Sequence, residues 1–356
     1  MIETLIDTYS EGPVLMLAGA LVGLLFGAAA QHSRFCLRAA TVEVAEGQMG
    51  PRLAIWLLAF LAAVLSVQGS ILAGWLDVSE ARQLASTGSM SGAIIGGAMF
   101  GVGMIMARGC ASRLLVLSAT GNLRALLTGL VLTLVAQASL RGVLTPAREA
   151  IAGLWTIPGG AARDLLAITG LTVPIVAASA SAALLGAVLF AVMRAVPPSR
   201  LIAAIGVGLA VGLGWVLTYA ISQNSFELVS ISSVTFTGPA TDTLMGLVNA
   251  PELPAGFGVG LVPGVFVGAG LMALLSGEFA IQRFGPEVPM ERYLIGACLM
   301  GFGAMLAGGC AVGAGLSGGS VFSLTAWVAV FSMWIGAMAT HRAMQRRPVQ
   351  AAAGTP

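Results

Sequence analysis

The stretches 95–111, IGGAMFGVGMIMARGCA, and 295–311, IGACLMGFGAMLAGGCA, lie 200 residues apart and align without a gap. Eight of their 17 positions are identical, including the closing Gly-Cys-Ala. The glycine and alanine content of the chain would by itself give roughly two identities. A weaker match pairs GALVGLLFG at 19–27 with GLAVGLGWV at 208–216. The sequence therefore predicts two duplicated halves.

The composition around these repeats is that of a membrane protein. Hydrophobic residues make up 57% of the 356 positions and charged residues only 9%, whereas soluble domains carry about 25% charged residues. Because about 20 apolar residues span a bilayer as a helix, we predict an all-α polytopic membrane protein with nine full spans. They cover roughly 13–31, 53–74, 90–107, 123–143, 173–194, 200–220, 256–276, 290–307 and 321–340.

Four further stretches are apolar but too short to cross the membrane. Backbone that breaks at membrane depth is tolerated only where protein or water covers it. We therefore predict re-entrant half-helices that line a central passage. They lie at about 33–45, 109–120, 230–250 and 309–319.

The arginines predict the orientation of the chain. There is no lysine, and all 17 basic residues are arginine. If the N-terminus is periplasmic, thirteen arginines fall on the cytoplasmic side and four on the external side, as the positive-inside rule requires. The N-terminus is acidic without a basic region, so we expect no cleaved signal peptide. The C-terminus is expected in the cytoplasm of a bacterial cell, with the chain in the inner membrane.

Five predicted spans separate each repeated element from its copy, and an odd number inverts the copy. Inverted halves with broken helices at the midplane are typical of transporters. The predicted organisation has five parts: an external segment 1–12, a first half 13–143, a linking segment with an extra span 144–199, a second half 200–340 and a cytoplasmic tail 341–356.

The four cysteines differ in their surroundings. Cys110 and Cys310 each follow a glycine at the start of a predicted half-helix, and Cys36 lies at a similar break in HSRFCLRAAT. These three are candidate functional residues. Cys298 lies inside a span with Ala98 as its repeat partner, so we expect it to be a small buried apolar residue.

The pattern gives little support to metal or redox cofactors. There is no CxxC pair, which disfavours a thioredoxin-like site and a zinc ribbon. Only His32 and His341 could supplement the sulfur ligands. We predict no metal and no cofactor, although copper(I) binding by cysteine and methionine stays open.

Three motifs carry a resemblance to a known family. FGAAAQHSRFC, the GxGMxxARGCA around Cys110 and GFGAMLAGGCAVGAGLSGG around Cys310 resemble the YeeE/YedE family, which includes the TsuA-like thiosulfate transporters. The resemblance covers about 15–340. It implies inverted helical halves with Cys36, Cys110 and Cys310 along a central path. Some members are linked to selenium metabolism, and some carry a fused TusA-like sulfur-carrier domain. No such domain follows here, so a separate TusA-like partner is expected at the cytoplasmic face.

The candidate residues suit a dianion with one soft sulfur. Two helix N-termini offer roughly +0.5 charge each together with free N–H donors, and neutral thiols add weak S–H donors. We expect burial to keep Cys110 and Cys310 protonated. Further candidates for an anion nest are backbone and hydroxyl groups. They are Gly109, Gly309, Ser317, Gly318, Gly319 and Ser320.

Several charged residues have two possible roles. Arg34, Arg108 and Arg113 lie near the predicted cytoplasmic mouth, where they attract the anion, dock the partner or simply obey the positive-inside rule. The acidic candidates either couple protons to transport or are solvated residues at loop ends. His32 is expected to be a loop or cap residue. The acidic candidates are Glu43, Glu46 and Asp242.

The leading hypothesis is uptake of thiosulfate through a relay of neutral cysteines, by a protein that is not an enzyme. Alternatives are transport of another sulfur or selenium species, a membrane sulfur-transfer or redox protein, and a scaffold that only recruits a sulfur carrier. Nothing in the sequence indicates a nucleic-acid partner.

Overall fold

The computed structural model describes residues 2–249, 254–283 and 289–346. Within these ranges nine helical segments are long and apolar enough to cross a membrane, which confirms the predicted all-α polytopic fold. The long helices are α2 (Glu11–Ser33), α4 (Pro51–Leu72), α6 (Met90–Met106), α8 (Leu123–Arg141), α11 (Val173–Met193), α12 (Pro198–Gln223), α14 (Phe257–Leu275), α15 (Met290–Ala307) and α16 (Leu324–Arg346).

Short elements fill the connections. They are α1 (Ile2–Tyr9), α3 (Leu37–Ala45), α5 (Arg82–Ala85), α7 (Ala111–Ala119), α9 (Thr145–Ala152), α10 (Leu165–Thr169), α13 (Thr237–Asn249), a 3-10 turn at Gly160–Ala162 and a π-helical turn at Gly313–Gly318. Strand β1 (Gly88–Ser89) pairs antiparallel with β2 (Thr156–Ile157). Short helical segments thus occur at all four stretches predicted as half-helices, namely α3, α7, α13 and the π-helical turn.

The breaks before the three candidate cysteines share one backbone design. Helices α2, α6 and α15 each end on a residue with positive φ: Arg34, Arg108 and Gly308. The next N–H then donates to the carbonyl five residues earlier, at 3.0–3.1 Å, in the bonds Phe35 to Ala30, Gly109 to Met104 and Gly309 to Ala304. This is the Schellman motif, which ends a helix and turns the chain away. A cysteine follows directly in all three places.

Glycines hold α2 and α14 together. Added Cβ atoms at Gly19 and Gly27 of α2 would strike the backbone at Phe257 and Val265 of α14. Small residues at such spacing let helix backbones touch, which is how helices associate where lipid offers no hydrophobic drive. Because residue numbers rise together along the contact, the two helices run parallel.

Helices α6 and α15 cross through the repeated motif itself. A Cβ at Gly96 would meet Gly303 and Ala307, while one at Gly296 would meet Gly103 and Ala107. The two contacts are the same pair displaced by 200 positions. The start of each helix lies beside the end of the other, so these two copies are antiparallel, and inversion of the two whole halves stays a prediction.

Helix packing outside this crossing follows the same scheme. Helix α6 packs on α16 and α15 packs on α8, while α2 packs on α14 and α12 packs on α4. Each pair has its counterpart if α2, α4, α6 and α8 correspond to α12, α14, α15 and α16. Helix α11 packs against α4 without such a counterpart.

Candidate functional site

Three cysteines lie buried at the starts of helical segments. The exposed fractions of Cys36, Cys110 and Cys310 are 8%, 1% and 0%. Their backbone carbonyls accept the first helical hydrogen bond of the next segment, from Ala40, Leu114 and Ala314. The first N–H groups of a helix have no intrahelical acceptor, so each sulfur lies beside N–H groups that the helix itself does not use.

Cys298 is different, and the prediction that it is buried was wrong. It is an exposed free cysteine on α15, a helix whose Gly296 and Gly303 pack against α6. The glycine-lined face of α15 is used for that crossing, and position 298 is left on the outer surface.

The breaks after α2 and α6 come together. The thiols of Cys36 and Cys110 lie close enough to influence each other electrostatically. Cys110 Sγ also lies 3.3 Å from Ser112 Oγ. The guanidinium groups of Arg38 and Arg113 are within electrostatic reach of Cys36. This end of the site therefore combines two soft sulfur groups with positive charge.

Cys310 is held by two contacts of its own. The N–H of Gly313 donates to its sulfur at 3.5 Å, and Thr235 Oγ1 lies 3.9 Å from the same atom. The carbonyl of Phe236, the residue after Thr235, accepts the first hydrogen bond of α13 from Ala240 at 2.8 Å. The third cysteine therefore lies against the start of α13.

An apolar cavity of about 200 Å³, partly open to the outer surface, lies between α7, α8 and α13. Its lining includes Ala111 and Leu114, which follow Cys110, and Phe236, which follows the Thr235 that contacts Cys310. The start of α7 and Phe236, which precedes α13, therefore border the same cavity.

Two adjoining cavities open at the predicted external end. Their volumes are about 360 and 310 Å³, and both are lined by Arg82, Arg148 and Gly308. The second cavity reaches Thr235 and Gly309, which flank Cys310. In the sequence alone, these arginines indicate only the orientation of the chain. Their position after α4 and α8 sorts them to one side of the membrane but does not reveal that they share a cavity.

Buried Arg163 shapes the same end. Its guanidinium donates to Thr325 Oγ1 at 2.7 Å and to the carbonyl of Ser86. These bonds tie the segment after α5 to the start of α16, next to the arginine-lined cavity.

At the predicted cytoplasmic end a carboxylate compensates part of the positive charge. Glu278 accepts from Arg34 at 2.8 Å and from Gln31 at 2.8 Å. The hydrogen bond from Arg34 holds the pKa of Glu278 below its usual range. Gln31 in turn accepts from Arg113 at 3.5 Å, so the network extends from an exposed ion pair to α7.

Comparison with known proteins identifies a family. The family model described as sulphur transport matches residues 32–339. The chain belongs to this sulphur transport family. It is similar to the thiosulfate transporter TsuA of Escherichia coli (strain K12), with 26% identity covering 94% of this chain and 96% of the relative. The thiosulfate transporter TsuA of Spirochaeta thermophila is 29% identical, covering 89% and 96%. The YeeE/YedE resemblance is thereby confirmed, and the relatives are named as transporters rather than enzymes.

The predicted anion-nest residues have internal roles in this sulphur transport protein. The N–H groups of Gly109 and Gly309 are used in the Schellman bonds. Ser317 Oγ donates to Val234 O at 2.6 Å, and Ser320 Oγ donates to Ser317 O at 3.0 Å. These contacts favour a supporting role over direct donation to an anion.

The remaining two nest candidates are packing positions. Added Cβ atoms at Gly318 and Gly319 would press on Ala326 and on the ring of Phe60. Both glycines lie at the far end of the segment that starts at Cys310. A helix end of that kind presents carbonyls rather than N–H groups, so the segment offers its donors at Cys310 instead.

The acidic candidates are also accounted for. Glu43 accepts from the N–H of Leu53 at 2.8 Å and so caps α4. Glu46 pairs with His341 at 3.0 Å. Asp242 lines the second of the two external cavities, and His32 lies in the last turn of α2. In the part of the chain that the structure describes, no group of three or more His, Cys, Asp or Glu residues is arranged to hold a metal.

Proposed function

We propose that this protein takes up thiosulfate across the bacterial inner membrane and relays it past Cys310, Cys110 and Cys36. The observation that carries the proposal is the threefold design of a Schellman break followed by a buried cysteine at a helix start. Two relatives named as thiosulfate transporters support the choice of anion.

The physical reason lies in the cost of moving a dianion through a low-dielectric interior. An unpaired charge there is prohibitively expensive. Helix N-termini supply partial positive charge and N–H donors without a full countercharge, and the thiol supplies a soft, weak donor. Weak sites in series allow the ion to leave each one, as conduction requires.

The proposed route begins at the arginine-lined cavities. Arg82 and Arg148 give this entrance a positive potential that concentrates anions. The ion then passes Cys310 and the Cys36–Cys110 pair, and it leaves near Arg38 and Arg113. A separate TusA-like sulfur carrier would receive sulfur at the predicted cytoplasmic end, where Arg34 and Arg108 are exposed.

Ligand binding to the purified protein tests the proposal. A ligand that binds only the folded state raises the melting temperature with its concentration, and saturation at 100 times Kd contributes about 2.7 kcal/mol. We expect thiosulfate to raise the Tm of the protein in detergent more than the same concentration of sulfate, sulfite or selenite does. A larger rise with one of the other anions would move the assignment to that species, and equal rises with all four would contradict it.

The entrance gives a second prediction. Replacing exposed Arg82 with glutamine should raise the KM for thiosulfate roughly 3- to 10-fold at low salt and leave the maximal rate unchanged. The reason is that the entrance attracts the anion less strongly, while the inner path is intact. Added salt should shrink the difference, since it screens the wild-type field. Arg194→Gln is the matched control, because Arg194 lies over the ring of Phe190, outside these cavities. Equal KM values for Arg82→Gln and wild type would remove the entrance role.

One observation favours a second candidate, a membrane sulfur-transfer protein. The neighbouring thiols of Cys36 and Cys110 could take part in covalent chemistry. In that reaction a thiolate attacks the outer sulfur of thiosulfate, a persulfide forms, and sulfite leaves with the electron pair of the broken S–S bond. Mass spectrometry of protein sampled during turnover distinguishes the two: a persulfide with stoichiometric sulfite indicates transfer, and unmodified cysteines indicate transport.

A further inference from the structure

Phe236 occupies the position that Cys36 holds in the first half. The two residues are 200 positions apart, the same register that relates Cys110 to Cys310. Each precedes a short helix and accepts its first hydrogen bond, from Ala40 at 3.3 Å and from Ala240 at 2.8 Å. The second half therefore carries an aromatic ring where the first half carries a thiol.

Aromatic contacts join this ring to the opposite cysteine region. Phe236 is 2% exposed and Phe26 is 0% exposed. Their ring centroids lie 5.2 Å apart, and the Phe26 ring meets the edge of Phe35 at 6.5 Å. Phe35 precedes Cys36 in the chain, so a row of three rings leads from the first break to α13.

Phe236 also lies close to the other two cysteine positions. Its neighbour Thr235 contacts Cys310, and Phe236 itself lines the apolar cavity shared with Ala111, the residue after Cys110. The side chain of Phe236 is therefore near both of the cysteine regions that the proposed route joins.

We propose that Phe236, backed by Phe26, is the gate of the pathway, an apolar constriction that keeps water and small hydrated anions from crossing between Cys310 and the Cys36–Cys110 pair. Apolar constrictions close pores by excluding water. A relay of weak sites without such a barrier would leak chloride, whereas a ring that moves aside only for a bound ion preserves the permeability barrier. The location of the pathway rests on the proposed function, but a barrier to chloride can be measured without thiosulfate.

The test compares chloride leak through purified protein in liposomes that contain a chloride-quenched dye. Phe236→Ala should increase the leak at least about tenfold, because it removes the constriction, while Phe236→Leu should stay near wild type. Phe100→Ala is the matched control, since Phe100 is equally buried on α6 and lies away from the breaks. A folded Phe236→Ala protein with wild-type leak would overturn the gate.

A second readout covers the case in which Phe236→Ala fails to fold. In a Cys298→Ser background, a membrane-impermeant methanethiosulfonate is applied from the side of Arg82 to Phe236→Val protein. Labelling of Cys110 should be at least about tenfold higher than in the Cys298→Ser protein that keeps Phe236, since the constriction excludes the hydrated reagent. Unchanged labelling would contradict the proposal.

The two proposals fail in different ways. If wild-type protein does not transport thiosulfate but Phe236→Ala leaks chloride, the gate stands and the proposed substrate falls. If wild type transports thiosulfate and Phe236→Ala neither leaks nor exposes Cys110, the gate falls and the proposed function stands.

Discussion

Replacing Cys110 with alanine is expected to lower thiosulfate uptake by about 10- to 100-fold, because a hydrogen bond to a charged group is worth about 1.5–3 kcal/mol. Cys110 is 1% exposed, so water cannot take the place of the lost donor. The same change removes the partner of Cys36 and breaks the relay at its midpoint. Uptake of ³⁵S-labelled thiosulfate by cells without another thiosulfate transporter measures the effect, with growth on thiosulfate as sole sulfur source as a second readout.

Two controls make this result specific. Cys298→Ala should retain the wild-type rate, since Cys298 lies on the exposed surface of α15. Cys310→Ala should match Cys110→Ala, since both thiols lie on the proposed path. Normal growth of folded Cys110→Ala and Cys310→Ala strains would refute the relay.

The largest effect on stability is expected at the glycine contact between α2 and α14. A Cβ at Gly264 would press on the backbone of Ala20, with its Cα at 3.0 Å. Gly264→Val forces the two helices apart, and overpacking of this kind costs about 1–3 kcal/mol or more. Because backbone on both sides resists the shift, we expect a cost at or above the upper figure.

Thermal unfolding in detergent and the amount of protein in the membrane measure this effect. Gly186→Val on α11 is the control, since nothing lies within 4 Å of its added Cβ. Gly264→Val should have a clearly lower Tm and a poor yield, and Gly186→Val should resemble wild type. Equal Tm values for the two variants would show that α2 and α14 move apart without loss of stability, which would contradict the importance of this glycine contact. Uptake per folded molecule also separates this variant from Cys110→Ala, which should remain folded.

Features encoded locally in the chain were predictable from sequence. Long apolar runs specify the nine spans because lipid demands them, and the Gly-Cys pairs after α6 and α15 mark real breaks. The break at Cys36 is predictable by the same reasoning, although the residue before its cysteine is Phe35 rather than glycine.

Features that depend on packing were not predictable. The contact between Cys36 and Cys110 joins two breaks that are far apart in sequence. The exposure of Cys298 depends on which face of α15 meets α6. The sequence shows phenylalanine, not cysteine, 200 positions after Cys36, but only the ring contacts with Phe26 give Phe236 a role.

The central claim is that thiosulfate crosses the membrane along the cysteines at the helix starts. The most direct measurement is uptake of ³⁵S-labelled thiosulfate into liposomes that contain only this protein, compared with a variant in which Cys36, Cys110 and Cys310 are alanine and Cys298 is kept. We predict uptake by the wild-type protein that excess unlabelled thiosulfate suppresses, and none above empty liposomes for the variant. Equal uptake by the two proteins, or none by the wild type, would contradict the account.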